Sequence, residues 1–215
     1  MQEYVEIQGY KHTNKGTELY VVVPNKTLGP YLGRFSKKGI VQAELRLDDG
    51  RTISADQRKK IYATIRDIAD YTGYIPEELK EYMKYYYMIE NDEEYFSLSD
   101  CSITTARLFL NYLIEFALGY RIPLKNTGLE RTDDIDTYLY MCIKYKRCAL
   151  CGSDAEIHHW DAIGMGRDRR IYNDSKHRKI ALCRTHHSEA HTIGRDRFGK
   201  KHHVYGIIYK EDKEH

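Results

Sequence analysis

The chain has 215 residues, with 34 Lys and Arg against 32 Asp and Glu, so its formal net charge is only +2. No apolar run approaches the ~20 residues that cross a bilayer, and the N-terminus shows no signal-peptide core. We therefore predict a soluble, cytoplasmic protein with no membrane partner. The five cysteines are an odd number and three of them stand at metal-ligand spacing, which argues against a disulfide framework.

Charges and histidines are distributed unevenly along the chain. Residues 145–215 hold 15 Lys and Arg against 10 Asp and Glu, whereas the first 144 residues hold 19 against 22. Nine of the ten histidines also lie in this last third, and only His12 lies outside it. This difference indicates that the C-terminal third is a separate domain.

Three segments near the N-terminus have the pattern of strands. Residues 3–10, 17–24 and 38–50 are rich in β-branched and aromatic residues or alternate apolar with polar side chains. Pro24 ends the second segment, and the stretch that follows, "PNKTLGPYLG", is rich in turn-forming residues. We expect a small antiparallel sheet with a turn-rich connection.

The periodicity then changes from strands to helices. Residues 53–74 place isoleucines near helical spacing, with Ser54 or Asp56 as the N-cap and Gly73 as the stop. The predicted elements that follow are a helix at 76–89 with a proline in its first turn, a short strand at 95–99, a buried helix at 103–120 and a helix at 133–146.

The first three-fifths of the chain also carries a family resemblance. Residues 53–87 and the run "FSLSDCSITTARLFLNYLIEFALGYRIPL" resemble the recombination mediators typified by Orf (NinB) of lambda-like phages, over about residues 40–125. The resemblance implies a phage- or prophage-encoded homodimer that binds single-stranded or branched DNA and assists a single-strand-binding protein or a recombinase. A generic α+β domain is the alternative. The basic candidates for a DNA path are Arg58, Lys59 and Lys60, with Lys37, Lys38, Arg51 and Arg107 behind them.

Two pairs of metal-type side chains stand about thirty residues apart. Cys148 and Cys151 are separated by two residues, and Cys183 and His186 repeat that gap. A structural zinc ion takes four such ligands in a closed tetrahedron. The spacing therefore predicts a structural Cys₃His zinc site, with free buried cysteines as the alternative.

Four further histidines remain for a second site. His187 and His191 are four residues apart in a predicted helix, so they share one face. His158 and His159 are adjacent in a predicted strand, so their side chains point to opposite sides. Residues 146–192 resemble the ββα-metal fold of HNH endonucleases, specifically the zinc-ribbon-braced enzymes whose strand reads "HH".

The HNH resemblance implies a role for each of these histidines. His158, His187 and His191 would bind a catalytic divalent cation such as Mg²⁺ or Mn²⁺, and His159 would be the general base. A neutral imidazole can take a proton from water near pH 7, and a divalent cation can relieve charge at the leaving oxygen. The expected products carry 5′-phosphate and 3′-hydroxyl ends. The alternative is a non-catalytic zinc-binding module.

One element of the family pattern is missing. The family's middle Asn, which braces the loop that holds the base, has no counterpart in "KHRKIAL" just before the second knuckle. His177 stands there and is our catalytic candidate for the brace, with Asn173 as the other candidate. The nearby run "GMGRDRR" favours a clamp on the DNA backbone formed by Arg167, Arg169 and Arg170.

Together these patterns predict an α+β protein of two domains. Residues 1–130 would form an Orf-like domain for DNA binding and dimerisation, residues 131–145 a linking helix, and residues 146–215 an HNH domain braced by the zinc knuckles. The predicted function is a recombination-associated DNA endonuclease. The rival hypothesis is a recombination mediator without catalysis, whose zinc module only binds DNA.

Overall fold

The computed structural model of the protein describes residues 5–23, 28–36, 41, 50–161 and 175–209. The chain divides into two compact units, Met1–Asp49 and Gly50–His215. The described part has mixed α and β structure with two small antiparallel sheets, one of two strands and one of three. Within the described residues, no helix is both long enough and apolar enough to cross a membrane.

The first unit contains a β-hairpin and a short helix. Strands β1 (Glu6–Thr13) and β2 (Gly16–Val22) pair antiparallel, as the sequence predicts. The third predicted strand, 38–50, lies almost wholly outside the described residues. The turn-rich interpretation of residues 24–33 is wrong in part, because Leu28–Phe35 forms helix α1. Pro30 lies in its first turn, where the missing N–H of proline costs no helical hydrogen bond.

Four of the helices of the second unit follow the sequence signals closely. Helix α2 (Ala55–Thr72) begins at a capping box in which Ser54 and Gln57 bond each other's backbone, and it ends at Gly73 in a left-handed conformation. The remaining helices of this part are α3 (Pro76–Asn91), α4 (Ile103–Gly119), α5 (Gly128–Arg131) and α6 (Ile135–Lys144). The predicted helices at 53–74, 76–89, 103–120 and 133–146 are confirmed, whereas α5 was not expected.

The predicted strand at 95–99 does not form. Phe96 and Leu98 are buried in the core, and the residues after them turn back on themselves. The backbone N–H groups of Asp100 and Cys101 both donate to the carbonyl of Ser97. The alternation of apolar side chains here therefore reflects a buried loop, because no neighbouring strand pairs with this segment in the described part of the chain.

Helix α6 belongs to the core rather than to an exposed linker. Tyr138, Leu139 and Cys142 are fully buried, and the Tyr138 hydroxyl donates to the carbonyl of Ala149 at 3.0 Å. A Cβ on Gly128 would lie 2.4 Å from the Tyr138 ring, so glycine is needed for this packing. The domain boundaries that we predicted at 130 and 146 thus both lie within the compact unit Gly50–His215. The assignment of the segments on either side to two different families stays a prediction.

The C-terminal elements place the histidines. Strands β3 (Glu156–His159), β4 (Arg178–Leu182) and β5 (Ile207–Ile208) form an antiparallel sheet in that order. Helix α7 (Arg184–Ile193) follows β4 after a single residue, and α8 (Arg195–His202) follows α7. This ββα succession brings the end of β3 beside the start of α7.

Candidate metal centres and active site

The segment 148–152 folds as a tight knuckle that aims two thiols at one point. The backbone N–H of Gly152 donates to the carbonyl of Cys148, and the N–H of Cys148 donates to the carbonyl of Ser153. Gly152 has φ +69°, a left-handed conformation that glycine adopts without a Cβ clash. The N–H of Ala149 donates to the carbonyl of Ala181 on β4, which fixes the knuckle beside the second ligand pair.

The second pair comes from the start of α7. Cys183 is the N-cap of this helix, and His186 lies in its first turn. The Cys151 and Cys183 sulfurs are 3.7 Å apart, and His186 Nδ1 lies 3.4 Å from the Cys148 sulfur and 3.2 Å from the Cys183 sulfur. A zinc tetrahedron has edges of about 3.8 Å between two sulfurs and about 3.6 Å between sulfur and nitrogen. The four donors of this group, the Cys₃His cluster, therefore fit a zinc ion.

Burial makes this cluster dependent on a cation. Cys148 is fully buried, and that burial raises the pKa of its thiol to about 12. Burial also lowers the pKa of His186, with the nearby His202 adding to the effect. Without a metal, the buried thiol is neutral near pH 7. A zinc ion would favour the thiolate form and hold β4, α7 and the knuckle together.

Three histidines form a second cluster on the other face of the helix start. His158 on β3 faces His187 and His191 on α7, with ring centroids separated by 4.7, 4.9 and 4.9 Å. One nitrogen from each ring lies within 4.8 Å of the others. This near-equilateral group, the His₃ cluster, fits a divalent cation with coordination positions left for other ligands.

The surroundings of His158 and His187 in the His₃ cluster favour neutral rings. Burial lowers the pKa of His158 to about 4, and the neighbouring His187 and His191 add to the decrease. Burial also lowers the pKa of His187, while Glu156 opposes the decrease with a carboxylate oxygen 3.8 Å from Nδ1. A neutral imidazole is the form that binds metal. Because exposure rises from buried His158 to exposed His191, the cluster opens towards solvent on the His191 side.

His159 lies next to the His₃ cluster in sequence but outside it in space. Adjacent residues of a strand point to opposite faces, so the His159 ring lies on the other side of β3 from His158. Its partner in the β3–β4 ladder is Lys179, and it is partly buried. His159 is therefore not among the three rings that could share one metal ion, and its role as general base stays a prediction.

His177 directly precedes β4, two residues before Lys179, and is partly buried. The structure therefore places our candidate brace immediately before the strand that pairs with His159. Asn173, the other candidate, lies outside the described residues. The role of His177 stays a prediction.

Hydrogen bonds between Asp161 and Arg178 connect the end of β3 to the start of β4. Arg178 donates to the Asp161 carboxylate from its backbone N–H at 3.0 Å and from its guanidinium at 3.1 and 2.6 Å, and the Trp160 N–H donates to the Arg178 carbonyl. These hydrogen bonds lower the pKa of Asp161 to about 2. This pair was not predicted from the sequence, although Asp161 stands only two residues after His159.

The predicted DNA-contacting residues have mixed outcomes. Arg167, Arg169 and Arg170 lie outside the described residues, as do Lys37 and Lys38. Arg58 donates to the backbone carbonyls of Leu98 and Ser99, and Lys60 forms ion pairs with Asp56 at 2.9 Å and Asp133 at 2.7 Å. Lys59 is exposed on α2. Arg58 and Lys60 therefore have partners within the chain, and DNA binding by these residues stays a prediction.

One protein-family model matches most of the chain, including helices α2 to α8 and both metal clusters. A family model described as "Putative HNHc nuclease" matches residues 35–214. The match contains both histidine-bearing clusters, and it also spans the helices that resemble the phage recombination mediators. Neither a curated protein nor a solved structure matches the chain. Because the match extends over far more than half of its length, the protein belongs to this family of HNH nucleases.

Proposed function

We propose that the protein is a metal-dependent DNA endonuclease that hydrolyses phosphodiester bonds. The observation that carries the proposal is the His₃ cluster, in which β3 supplies one ring and α7 supplies two, directly beside a further histidine on β3. Membership of an HNH nuclease family makes DNA the expected substrate. The Cys₃His cluster would hold a structural zinc ion that fixes α7 against the knuckle.

Each side chain of the site has a distinct task in this proposal. His158, His187 and His191 would hold the divalent cation, which would supply positive charge to stabilise the phosphate and the leaving oxygen. His159 accepts a proton from the attacking water as the water oxygen bonds to phosphorus and the bond to the 3′-oxygen breaks. The His177 position and the Asp161–Arg178 pair keep β3 and β4 in register around the base.

A plasmid-nicking assay with added Mg²⁺ or Mn²⁺ tests the proposal. We expect the wild-type chain to nick DNA and His159→Asn to lose about 10²–10⁴-fold in rate, since that is the usual contribution of a positioned base. His12→Ala, a histidine in the hairpin of the other compact unit, is the matched control and should keep full activity. If the wild-type chain cuts with neither metal, the non-catalytic binding module is the better description. Equal cutting by His159→Asn would remove the base assignment alone.

The recombination role is a finer proposal that rests on the resemblance of residues 40–125. A single-stranded-DNA-binding Orf-like segment would target the nuclease to recombination intermediates in a phage-infected host. Deleting residues 1–130 is a poor test, because it removes α4, which packs against α6. The deletion would therefore expose buried side chains of α6 to solvent. Charge reversal of the exposed Lys59 and Arg107 in full-length His159→Ala is better. Anisotropy with labelled single strands should show weaker binding, whereas Lys11→Glu should bind normally.

The homodimer in the same proposal has a suitable surface on α3. Besides the buried face of α3, five apolar or aromatic side chains at helical spacing are each at least half exposed and form a stripe. They are Ile75, Tyr82, Tyr85, Tyr86 and Ile89. Ile75 and Ile89 each lie seven residues from Tyr82, so two antiparallel α3 helices centred on Tyr82 would place each Ile75 opposite the other copy's Ile89. Light scattering should find a dimer that Tyr82→Glu converts to monomer and that Tyr120→Glu, exposed outside the stripe, leaves intact.

A further inference from the structure

A cleft of about 290 Å³ lies between α2, α3 and the loop after α3. Helix α2 contributes Arg58 and Tyr62 to its wall, and α3 contributes Lys80, Glu81 and Lys84. The loop adds Tyr95 and residues 97–99. This α2–α3 cleft is built from elements other than β3, α7 and the knuckle, which carry the two metal clusters.

Lys84 is a buried cation with little to balance it. Its side chain is only 4 % exposed, and its ammonium lies 3.6 Å from Glu81 Oε2, longer than a good hydrogen bond. The rings of Tyr95 and Phe96 face the ammonium at 4.3 and 5.3 Å from their centroids. An ammonium has three donors, and burying it is costly unless anions satisfy them. The Lys84 site is therefore suited to a second anion.

Two more cations and one carboxylate complete the charge of the cleft. Arg58 is held in place by the Leu98 and Ser99 carbonyls, which carry no formal charge, and no carboxylate of the described residues forms an ion pair with it. Lys80 pairs with Glu81 Oε1 at 3.1 Å, so Glu81 lies between Lys80 and Lys84. Among the residues that line the cleft, three are cations and one, Glu81, is a carboxylate. Glu81 is 56 % exposed and can swing into solvent when another anion enters.

Aromatic rings lie beside these cations. Tyr62 and Tyr95 line the cleft and are 41 % and 74 % exposed. An exposed tyrosine next to a phosphate-sized cationic site is the arrangement that stacks a nucleobase while cations hold its phosphate. The cleft therefore combines the two contacts that a nucleotide makes.

We propose that the α2–α3 cleft binds the phosphate ester of a nucleotide, with Lys80, Lys84 and Arg58 on the phosphate and the Tyr95 ring against the base. Glu81 is the resident counter-ion that the phosphate displaces. The ligand is either a free mononucleotide or one nucleotide of a DNA strand, and both offer the same phosphate ester. The site goes beyond the proposed nuclease reaction and uses none of its residues.

Replacing Glu81, the resident counter-ion, tests the proposal because the expected result is tighter binding, which misfolding would not produce. In full-length, zinc-loaded His159→Ala without added divalent metal, Glu81→Gln should tighten binding of a short oligothymidylate about three- to tenfold, because the phosphate no longer competes with a carboxylate. Asp70→Asn is the matched control, since Asp70 is an exposed partner of Lys125 that lies outside the cleft lining. Equal tightening by both variants would mean a general charge effect and overturn the proposal.

Lysine variants provide the opposite change. Lys84→Met and Lys80→Gln should each weaken binding about five- to tenfold, whereas Lys125→Gln should change it less than about twofold. Lys84→Met keeps the apolar stem, and its thermal unfolding midpoint verifies the fold. Thymidine monophosphate and inorganic phosphate, titrated in the same variants, identify the source. The same pattern with the mononucleotide assigns a free nucleotide, the pattern with the oligonucleotide alone assigns a DNA strand, and no dependence on Glu81 or Lys84 in any arm refutes the site.

Discussion

The two clusters on either side of the start of α7 differ in donor number, donor type and burial. The Cys₃His cluster offers four donors, including the fully buried Cys148, and joins two separate segments, the knuckle and the start of α7. The His₃ cluster offers three nitrogens whose exposure increases towards His191. A closed donor set stabilises structure, whereas an incomplete one leaves room for water and phosphate. Because both clusters take ligands from α7, a metal ion in the Cys₃His cluster would also fix the position of the helix that carries two histidines of the His₃ cluster.

The largest expected effect is on the closed cluster. Cys148→Ala should abolish tight zinc binding and lower the unfolding midpoint by more than about 10 °C, because structural zinc sites contribute several kcal/mol to folding. Calorimetry and metal analysis measure both. Cys101→Ala removes a buried cysteine outside the cluster and should keep its zinc. A Cys148→Ala chain with full zinc content and an unchanged midpoint would remove the distinction between the clusters.

The open cluster should behave in the opposite way. His191→Ala should lower the metal-dependent nicking rate by about 10²–10³-fold, since the cation supplies several kcal/mol of transition-state stabilisation. Its unfolding midpoint should stay close to that of the wild type, because His191 is exposed on a helix that tolerates alanine. Thr192→Ala, beside it on α7, is the control for both measurements. A large loss of stability in His191→Ala would make this cluster structural as well.

A smaller effect is expected from the packing around Trp160, the residue next to the proposed base His159. A Cβ on Gly206 would lie 2.3 Å from Trp160 Cβ, so Gly206→Ala must displace the residue next to His159. We expect a loss of about 1–3 kcal/mol in the free energy of unfolding and slower nicking with normal zinc content. Gly33→Ala has open space around its Cβ and should change neither. Denaturant unfolding and nicking rates of the same samples show whether the displacement of Trp160 also affects the proposed base, His159.

The smallest effect is a pH-dependent one at the end of β3. Hydrogen bonds from Arg178 lower the pKa of Asp161 to about 2, below the unfolded value near 3.9. The stabilisation is therefore complete above about pH 4 and is lost as the pH falls towards 2. Since Asp161 is partly exposed, Asp161→Asn should cost at most about 1 kcal/mol near pH 6. The difference in stability between wild type and variant should shrink with acid, and a constant difference would argue against the pair.

Local patterns were enough to predict much of the protein. The capping box at Ser54, the stop at Gly73 and the helical spacing of His187 and His191 all depend on neighbours within a few residues, so the sequence displays them directly. Ligand spacing likewise predicted the Cys₃His set, and the HNH resemblance implied the His₃ set. These signals arise from backbone hydrogen bonding and helix periodicity, which a short segment determines alone.

Long-range packing decided the rest. The segment 95–99 alternates like a strand yet turns into the core, because a strand also requires a partner that sequence period does not supply. Arg58 was proposed as a DNA contact from its charge alone, and only the structure shows that carbonyls about forty residues away orient its guanidinium. Sequence determined which side chains could bind metal and on which helix face they stand. Only the tertiary structure brought Cys148 to Cys183 and His158 to His191, because such contacts depend on how separate elements bury their apolar faces together.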